Sequence, residues 1–186
     1  MKNYNFNTLP SLLKKKNWLL NANIVEKEFT LLREKICKHF QDLENDYNKK
    51  NNLTLSYFKK KPWFRNPNNN EYGGGISSIL KGNLFEKVGV NISTVSGIFP
   101  NDYKKQIKGA NEDPRFFATG ISIVAHMYSP FIPAAHFNSR FIVTKQAWFG
   151  GGCDLTPTYN RTNIHKHFHT LLEEFCNKYD KNYYKK

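Results

Sequence analysis

The chain has few cysteines, few acidic residues and no long apolar run. Its three cysteines, Cys37, Cys153 and Cys176, lie far apart and form no CxxC pair, so neither a disulfide framework nor a thiolate zinc site is predicted. No segment approaches the roughly 20 apolar residues that a membrane-spanning helix needs. The N-terminal residues lack the apolar core of a signal peptide. We therefore expect a cytoplasmic protein without a membrane span.

The shortage of acidic residues gives a formal net charge of +13, from 28 basic and 15 acidic residues among 186. Such a charge is typical of nucleic-acid-binding proteins. The excess lies outside the centre, however, because residues 1–70 carry +8, residues 71–159 carry +2 and residues 160–186 carry +3. Lysine and asparagine each occur 23 times, which indicates a compositional bias rather than a phosphate-binding surface. A basic nucleic-acid-binding module is the weaker alternative, and no nucleic-acid partner is expected.

Hydrophobic periodicity predicts a helix, then strands, then a second helix. Residues 1–21 form a polar N-terminal arm, expected to be mobile or loosely docked, and residues 22–186 form the domain. Apolar residues at three- and four-residue steps predict a first helix over about residues 23–47, with this stripe: Val25, Phe29, Leu32, Ile36, Phe40 and Leu43. Residues 84–99 indicate one or two strands. A second stripe after Pro157 predicts the second helix.

The most informative stretch is residues 117–157, which is nearly uncharged and contains no glutamate and a single aspartate, Asp154. Period-two alternation predicts two strands joined through a short link with two prolines, so they should be antiparallel neighbours. One face would then hold five polar residues, and burial of a guanidinium among them would demand a partner. The five are Ser122, His126, His136, Asn138 and Arg140.

The chemistry of these five residues suits an anionic substrate that undergoes proton transfer. Arg140 offers a planar fork for a carboxylate, Asn138 offers a donor and an acceptor, and His136 can exchange a proton near neutral pH. Taken singly, any one His or Asn is more simply explained as satisfied by neighbouring side chains or by water at a sheet edge. Five such groups on one face favour a binding site.

Two glycine triplets, residues 73–75 and 150–152, resemble phosphate-binding loops only superficially. Neither is followed by Gly-Lys-Ser/Thr, and neither fits a dinucleotide fingerprint. The simpler interpretation is backbone geometry, with positive φ or close packing against a ring or side chain. We expect the second triplet to be a chain reversal beside the pocket.

Three blocks of this sequence resemble one known family. They are EYGGGISSILKGNLFEKVGVNISTVSGIF at residues 71–99, the 117–157 stretch with its WFGGGCDLTP ending, and HKHFHTLLEEFCNKYDKNYY at residues 165–184. Together they are similar to oxygen-dependent coproporphyrinogen III oxidase, an enzyme of haem biosynthesis. The resemblance runs from about residue 24 to the end and covers about the first half of the family's usual chain.

The resemblance implies an α+β fold, a large antiparallel sheet flanked by helices on both faces, usually in a homodimer. It implies oxidative decarboxylation of two propionates of coproporphyrinogen III to vinyl groups, giving protoporphyrinogen IX, with molecular oxygen as co-substrate and no organic cofactor. By matching positions, Ser122, Asn138 and Arg140 would contact the substrate and His136 would be the proton donor. A divalent metal ion would be bound by His126, His136 and His169.

From the residues alone, His165 and His169 lie one helical turn apart, which is a modest metal signal and is more typical of surface histidines. The resemblance also predicts that the family's remaining sheet, acidic segment and dimer region are absent here. We therefore expect little or no activity from this chain by itself, unless a homodimer or a separately encoded C-terminal half completes it. The main alternative is a vestigial porphyrin-binding protein without turnover.

Overall fold

The computed structural model describes residues 9–66, 69–159 and 162–185, and its centre is one antiparallel sheet of six strands. The strands are ordered along the sheet as they are along the chain, so each neighbouring pair is antiparallel. Their bounds are β1 Lys59–Asn66, β2 Asn69–Leu80, β3 Phe85–Ile98, β4 Arg115–Met127, β5 Ala134–Val143 and β6 Ala147–Thr156. The α+β class is confirmed, as are the antiparallel neighbours β4 and β5 and a single strand over residues 84–99.

A 35-residue helix, α1 (Lys16–Lys50), covers one face of this sheet and packs on β3 and β4. It is longer than predicted, because burial continues beyond the apolar stripe at both ends. Phe29 is buried, and Val25, Leu32, Ile36 and Phe40 pack against the core as expected. Leu43, the last residue of the predicted stripe, is instead 56% exposed.

The face under α1 is the sealed face of the sheet. Strand alternation buries Ile121, Ile123 and Ala125 of β4 on this face, opposite Ile92, Val90 and Val88 of β3. These side chains share one core with Phe85, Leu80, Phe117, Phe141 and Val143. The opposite face, which carries Ser122, His126, Asn138 and Arg140, is the open face.

The segment before α1 also packs on the core. Leu9 and Leu13 are 1% and 0% exposed, and residues Ser11–Lys14 form a 3-10 turn. The carboxylate of Asp113 accepts a hydrogen bond from the backbone N–H of Ser11 at 2.9 Å. The described part of the predicted arm is therefore packed rather than loosely docked, because its two leucines complete the core. Residues 1–8 of that arm lie outside the described residues.

A buried carboxylate ties α1 to the loop between β2 and β3. Glu44 is 0% exposed and accepts hydrogen bonds from the backbone N–H groups of Asn83, Leu84 and Phe85, at 2.6, 3.2 and 3.0 Å. The side-chain amide of Asn48 donates a further hydrogen bond at 3.0 Å. Because buried polar groups are costly without partners, this network fixes the position of the loop on the sheet.

Strands β1 and β2 were not predicted from the sequence. Their lysines and glycines disfavour strands locally, yet β1 pairs with β2 along its length, with a register shift between Phe64 and Asn66. The break expected at residues 66–70 begins and ends in paired strand residues, and residues 67–68 lie outside the described residues. Two helices complete the fold, α2 (Asn101–Lys104) and α3 (Thr162–Asn177). The second predicted helix is thus confirmed, although Leu171, Phe175 and Tyr179 of its apolar stripe and the following turn are exposed. No helix among the described residues is both long and apolar enough to cross a membrane.

Candidate substrate-binding face

Cross-strand pairing gathers the predicted polar residues on the open face. Ser122 lies directly opposite Asn138, Val124 opposite His136, and Gly120 opposite Arg140. Directly paired residues of antiparallel strands point to the same side, as do residues two apart along one strand. The expectation that these five polar residues share one face is therefore confirmed.

The face is organised as rows that run across the strands. The first row has small residues between two large side chains: Trp63, Gly75, Ser93, Gly120, Arg140 and Gly150. The second is polar across three strands: Asn91, Ser122, Asn138 and Gly152. The third ends in a histidine and an aspartate: Lys59, Ile79, Gly89, Val124, His136 and Asp154.

A groove of about 280 Å³ follows the first two rows between Trp63 and Arg140. Ser93 and Gly120 line it in the first row. The Trp63 indole lies against the adjacent Gly75, where a Cβ would be 3.0 Å from Trp63 Cε2. A Cβ on Gly120 would lie 2.6 Å from the carbonyl oxygen of Ser139. The glycine is therefore required by the close approach of β5, and it keeps the floor flat.

Arg140 is exposed, and this differs from the buried environment expected for it. Among the described residues its guanidinium makes one hydrogen bond, in which Nη2 donates to Asn138 Oδ1 at 3.3 Å. Ser122 and His126 are also exposed. The argument that burial demands a partner is therefore wrong for Arg140, because water reaches this face of the described residues. The guanidinium keeps most of its five donors for a ligand.

The second glycine triplet, residues 150–152, also differs from the prediction. It lies inside strand β6, and the chain reversal falls earlier, at residues 144–146. Gly150 and Gly152 pair with Arg140 and Asn138, and a Cβ at either glycine would meet no heavy atom within 4 Å. The triplet thus leaves space beside the two polar side chains.

His136 is paired with an aspartate on the neighbouring strand. Its Nδ1 lies 3.0 Å from Asp154 Oδ2, and Thr156 Oγ1 donates to the same oxygen at 2.7 Å. The hydrogen bond from Thr156, followed by that from His136, lowers the pKa of Asp154. An ionised carboxylate only accepts hydrogen bonds, so Nδ1 carries the proton and Nε2 remains for a ligand.

Two of the three predicted metal ligands come together. The rings of His126 and His136 are 5.8 Å apart between centroids and nearly perpendicular. His169 lies on α3, where its Nδ1 is 2.9 Å from the hydroxyl of Tyr184. Within the described ranges, no three His, Cys, Asp or Glu side chains are grouped so that they could bind one ion. The three-histidine metal site is thus not assembled among the described residues, and it stays a prediction.

Comparison with known sequences shows the protein family of this chain. The family described as Coproporphyrinogen III oxidase matches residues 24–186. The chain is 49% identical over 166 residues to the oxygen-dependent coproporphyrinogen-III oxidase of Rickettsia felis, and 49% identical over the same length to those of Rickettsia typhi and Rickettsia prowazekii. The chain belongs to the coproporphyrinogen III oxidase family. The predicted resemblance is therefore confirmed.

Each of these three alignments covers 89% of this chain and 58% of the relative. The chain thus spans somewhat more than half the length of the coproporphyrinogen oxidases that it matches. All three blocks that carry the resemblance fall inside the matched range, as do the open face and its groove.

Three features of this face were missed or undervalued in the sequence. The pairing of His136 with Asp154 could have been found, since Asp154 is the one acidic residue of the stretch and lies on an adjacent strand. Trp63 and the lysines of β1 carried no signal, because β1 itself was not recognised. Their place on the open face follows from pairing with β2, which local propensity did not indicate.

Proposed function

We propose that this chain binds coproporphyrinogen III on the open face and supplies the substrate-facing part of an oxygen-dependent oxidase of cytoplasmic haem biosynthesis. The observation that carries the proposal is the single face shared by Ser122, Asn138, Arg140 and the His136–Asp154 pair. The flat, glycine-floored groove beside them suits a large flat ligand.

Arg140 is the main anchor for a substrate carboxylate. Its planar fork donates two parallel hydrogen bonds to a carboxylate, and such charge-assisted pairs are stronger than neutral ones. Asn138 accepts from Arg140 at 3.3 Å and so orients the guanidinium. Ser122, directly opposite Asn138, adds a hydroxyl donor at the same height on the neighbouring strand.

His136 is the proton donor in this proposal. Asp154 holds its ring through Nδ1, which fixes the ring orientation and leaves Nε2 for the ligand. Because Thr156 also binds the same carboxylate oxygen at 2.7 Å, Asp154 is itself held in place. In the donor state both ring nitrogens carry a proton. Nδ1–H stays on Asp154, and Nε2–H gives its proton to a reacting group without reorganisation of the ring.

The reaction converts two propionates to vinyl groups, and the electrons balance without an organic cofactor. Each propionate loses carbon dioxide and a hydride equivalent, and the two hydride equivalents with two protons reduce one molecule of oxygen to two of water. The residues described here bind the carboxylates and hold a proton at His136. No step is assigned to a metal ion, because the described histidines do not form a three-ligand site.

Turnover on this face requires a cover that excludes water. Ser122, His126 and Arg140 are exposed, and electrostatic contacts weaken in water. A second copy of the chain in a homodimer, or a further polypeptide that supplies the rest of the family's sequence, would provide the cover. Without it, we expect the chain to bind a porphyrin with little or no turnover, which is also the behaviour of a vestigial binding protein.

The test separates binding from turnover. Coproporphyrin III, the stable oxidised form of the substrate, is titrated into the chain and followed by porphyrin fluorescence. We expect Arg140→Ala to bind about 10- to 100-fold more weakly, as for loss of a charge-assisted bidentate contact. Lys145→Ala, at the nearby β5–β6 turn, removes an equal charge and should bind as the unmodified chain does.

Equal binding by the unmodified chain and folded Arg140→Ala would contradict the proposal. Turnover is measured as protoporphyrinogen formation under oxygen, with and without a polypeptide carrying the remaining part of a relative's sequence. Rapid turnover by the chain alone would contradict the requirement for a cover.

A further inference from the structure

A second cavity, of about 450 Å³, lies at the β1–β2 end of the open face. Its lining consists of three lysines, two hydroxyl-bearing residues and one isoleucine: Lys59, Lys61, Lys81, Tyr57, Ser77 and Ile79. The register explains this composition, since Lys59 is opposite Ile79 and Lys61 is opposite Ser77. We refer to these six residues as the lysine pocket.

Strand alternation separates the pocket lysines from the lysine between them. Lys60 points to the sealed side, where its Nζ lies 2.8 Å from Glu34 Oε2. Lys59, Lys61 and Lys81 take no part in the ion pairs formed among the described residues. Like charges gathered without a counter-charge create a positive potential that attracts an anion. The lysine pocket is therefore suited to an anion.

The third lysine is held by the fold rather than placed on a free loop. Lys81 directly follows β2, and the next residue, Gly82, donates its backbone N–H to the carbonyl of Phe85 at 3.0 Å. Buried Glu44 binds the N–H groups of the following residues from the sealed side. A side chain added at Gly82 would overlap the Glu44 carboxylate. The backbone that carries Lys81 is therefore fixed beside β1.

We propose that the lysine pocket is a second carboxylate-binding site, which holds the substrate propionates on the side of the macrocycle away from Arg140. The proposal rests on the proposed function, since it places the same ligand on the same face. Lys61 on β1 and Arg140 on β5 are separated by four strand spacings, about 19 Å in all. Both side chains are long enough to lean inward from the two ends.

The surface between the two ends leaves room for such a ligand. In the first row, the small residues Ser93 and Gly120 lie between Arg140 and the Trp63 indole, which itself lies against Gly75. A tetrapyrrole with a propionate on each ring carries carboxylates on opposite edges, so it can meet cations at both ends of the face. A porphyrin with propionates on one edge can meet only one of them.

The experiment compares these two kinds of porphyrin. Coproporphyrin III, a tetracarboxylate, and mesoporphyrin IX, a dicarboxylate with both propionates on one edge, are titrated separately into each variant and followed by fluorescence. The test variant is Lys59→Gln with Lys61→Gln. The control is Lys50→Gln with Lys60→Gln, which removes two charges at the end of α1 and on the other side of β1.

We expect the test variant to bind coproporphyrin III about tenfold more weakly and mesoporphyrin IX less than twofold more weakly. The control should bind both porphyrins within twofold of the unmodified chain, and the tenfold loss should shrink at high ionic strength. An unchanged affinity for coproporphyrin III in the folded test variant, or an equal loss in the control, would overturn the second site.

Arg140→Ala makes the two failures distinguishable. If it weakens coproporphyrin III binding while the lysine variant does not, the lysine pocket is refuted and the proposed function stands. If the unmodified chain binds no coproporphyrin III, or Arg140→Ala binds it equally well, both proposals fail.

Discussion

The two faces of this sheet use polar side chains in opposite ways. On the sealed face, buried Glu44 binds the backbone of the β2–β3 loop, and Thr94 Oγ1 lies 2.9 Å from Thr119 Oγ1. On the open face, Arg140 has one hydrogen bond, of 3.3 Å, and the pocket lysines have no ion pair among the described residues. The contacts of the sealed face stabilise the fold, whereas the unused donors of the open face are the groups to which we assign the proposed ligand.

The largest expected effect is a loss of stability when a buried contact of the sealed face is removed. Glu44→Ala should lower the free energy of unfolding by about 3–5 kcal/mol, because three backbone N–H groups and the Asn48 amide lose their buried acceptor. Urea denaturation measures the loss. Glu44→Gln, which keeps the shape and one acceptor oxygen, should lose less. A loss below about 1 kcal/mol for Glu44→Ala would mean that the network does not stabilise the fold.

The pH dependence of stability tests a second contact, in which Asp113 binds Ser11 and Arg115 beside the sealed face. Burial by itself would raise the pKa of Asp113, but hydrogen bonds from Arg115 and Ser11 outweigh it and hold the pKa well below its usual range. Because the folded pKa is depressed, the stabilisation is complete above the unfolded value near 3.9 and is lost as pH falls toward the folded pKa.

Asp113→Asn should therefore cost about 1.5–3 kcal/mol near neutral pH, and the difference from the unmodified chain should narrow below about pH 4. Urea denaturation at a series of pH values measures this difference. Arg115→Gln is the companion variant and should show the same narrowing. A difference that is constant from neutral to acidic pH would exclude Asp113 as the titrating group.

The two glycine triplets differ in how closely the neighbouring strands approach them, so substitutions there should differ in their effect on stability. A Cβ on Gly75 would overlap the carbonyl oxygen of Ile92 on the neighbouring strand, whereas one on Gly152 would meet nothing within 4 Å. Gly75→Ala should lower stability by about 2–3 kcal/mol, and Gly152→Ala should change it by less than about 0.5 kcal/mol. Thermal unfolding of the two variants distinguishes them, and equal losses would show that β6 is packed as tightly as β2.

Much of this arrangement could be predicted from the sequence, wherever periodicity is strong. The alternation of Ile121 and Ile123 with Ser122 fixed the inward and outward faces of β4, and the short proline-containing link predicted β5 as its neighbour. The five polar residues therefore fell on one face without structural information. What alternation cannot report is whether a second layer covers that face, and the burial expected for Arg140 was wrong for this reason.

Other features depend on contacts between distant segments. Strand β1 contains Lys59, Lys60 and Lys61, and its strand structure is imposed by pairing with β2 rather than by propensity. The burial of Glu44 depends on a loop about 40 residues away, and nothing in the helix pattern distinguishes it from exposed Leu43. Hydrogen bonds between segments so far apart in the chain produce no local pattern in the sequence, so they could not be predicted from it.

The central claim is that the porphyrin binds on the open face of the sheet. The most direct test is to follow the NMR signals of the asparagine side-chain amides during titration with coproporphyrin III. A porphyrin ring shifts the resonances of nuclei stacked near it, so the amides report its position. The signals of Asn91 and Asn138, on the open face, should move, and those of buried Asn45 and Asn48 should stay. Shifts at Asn45 and Asn48 with none at Asn138 would contradict the account, because they would place the porphyrin on the helix side of the sheet.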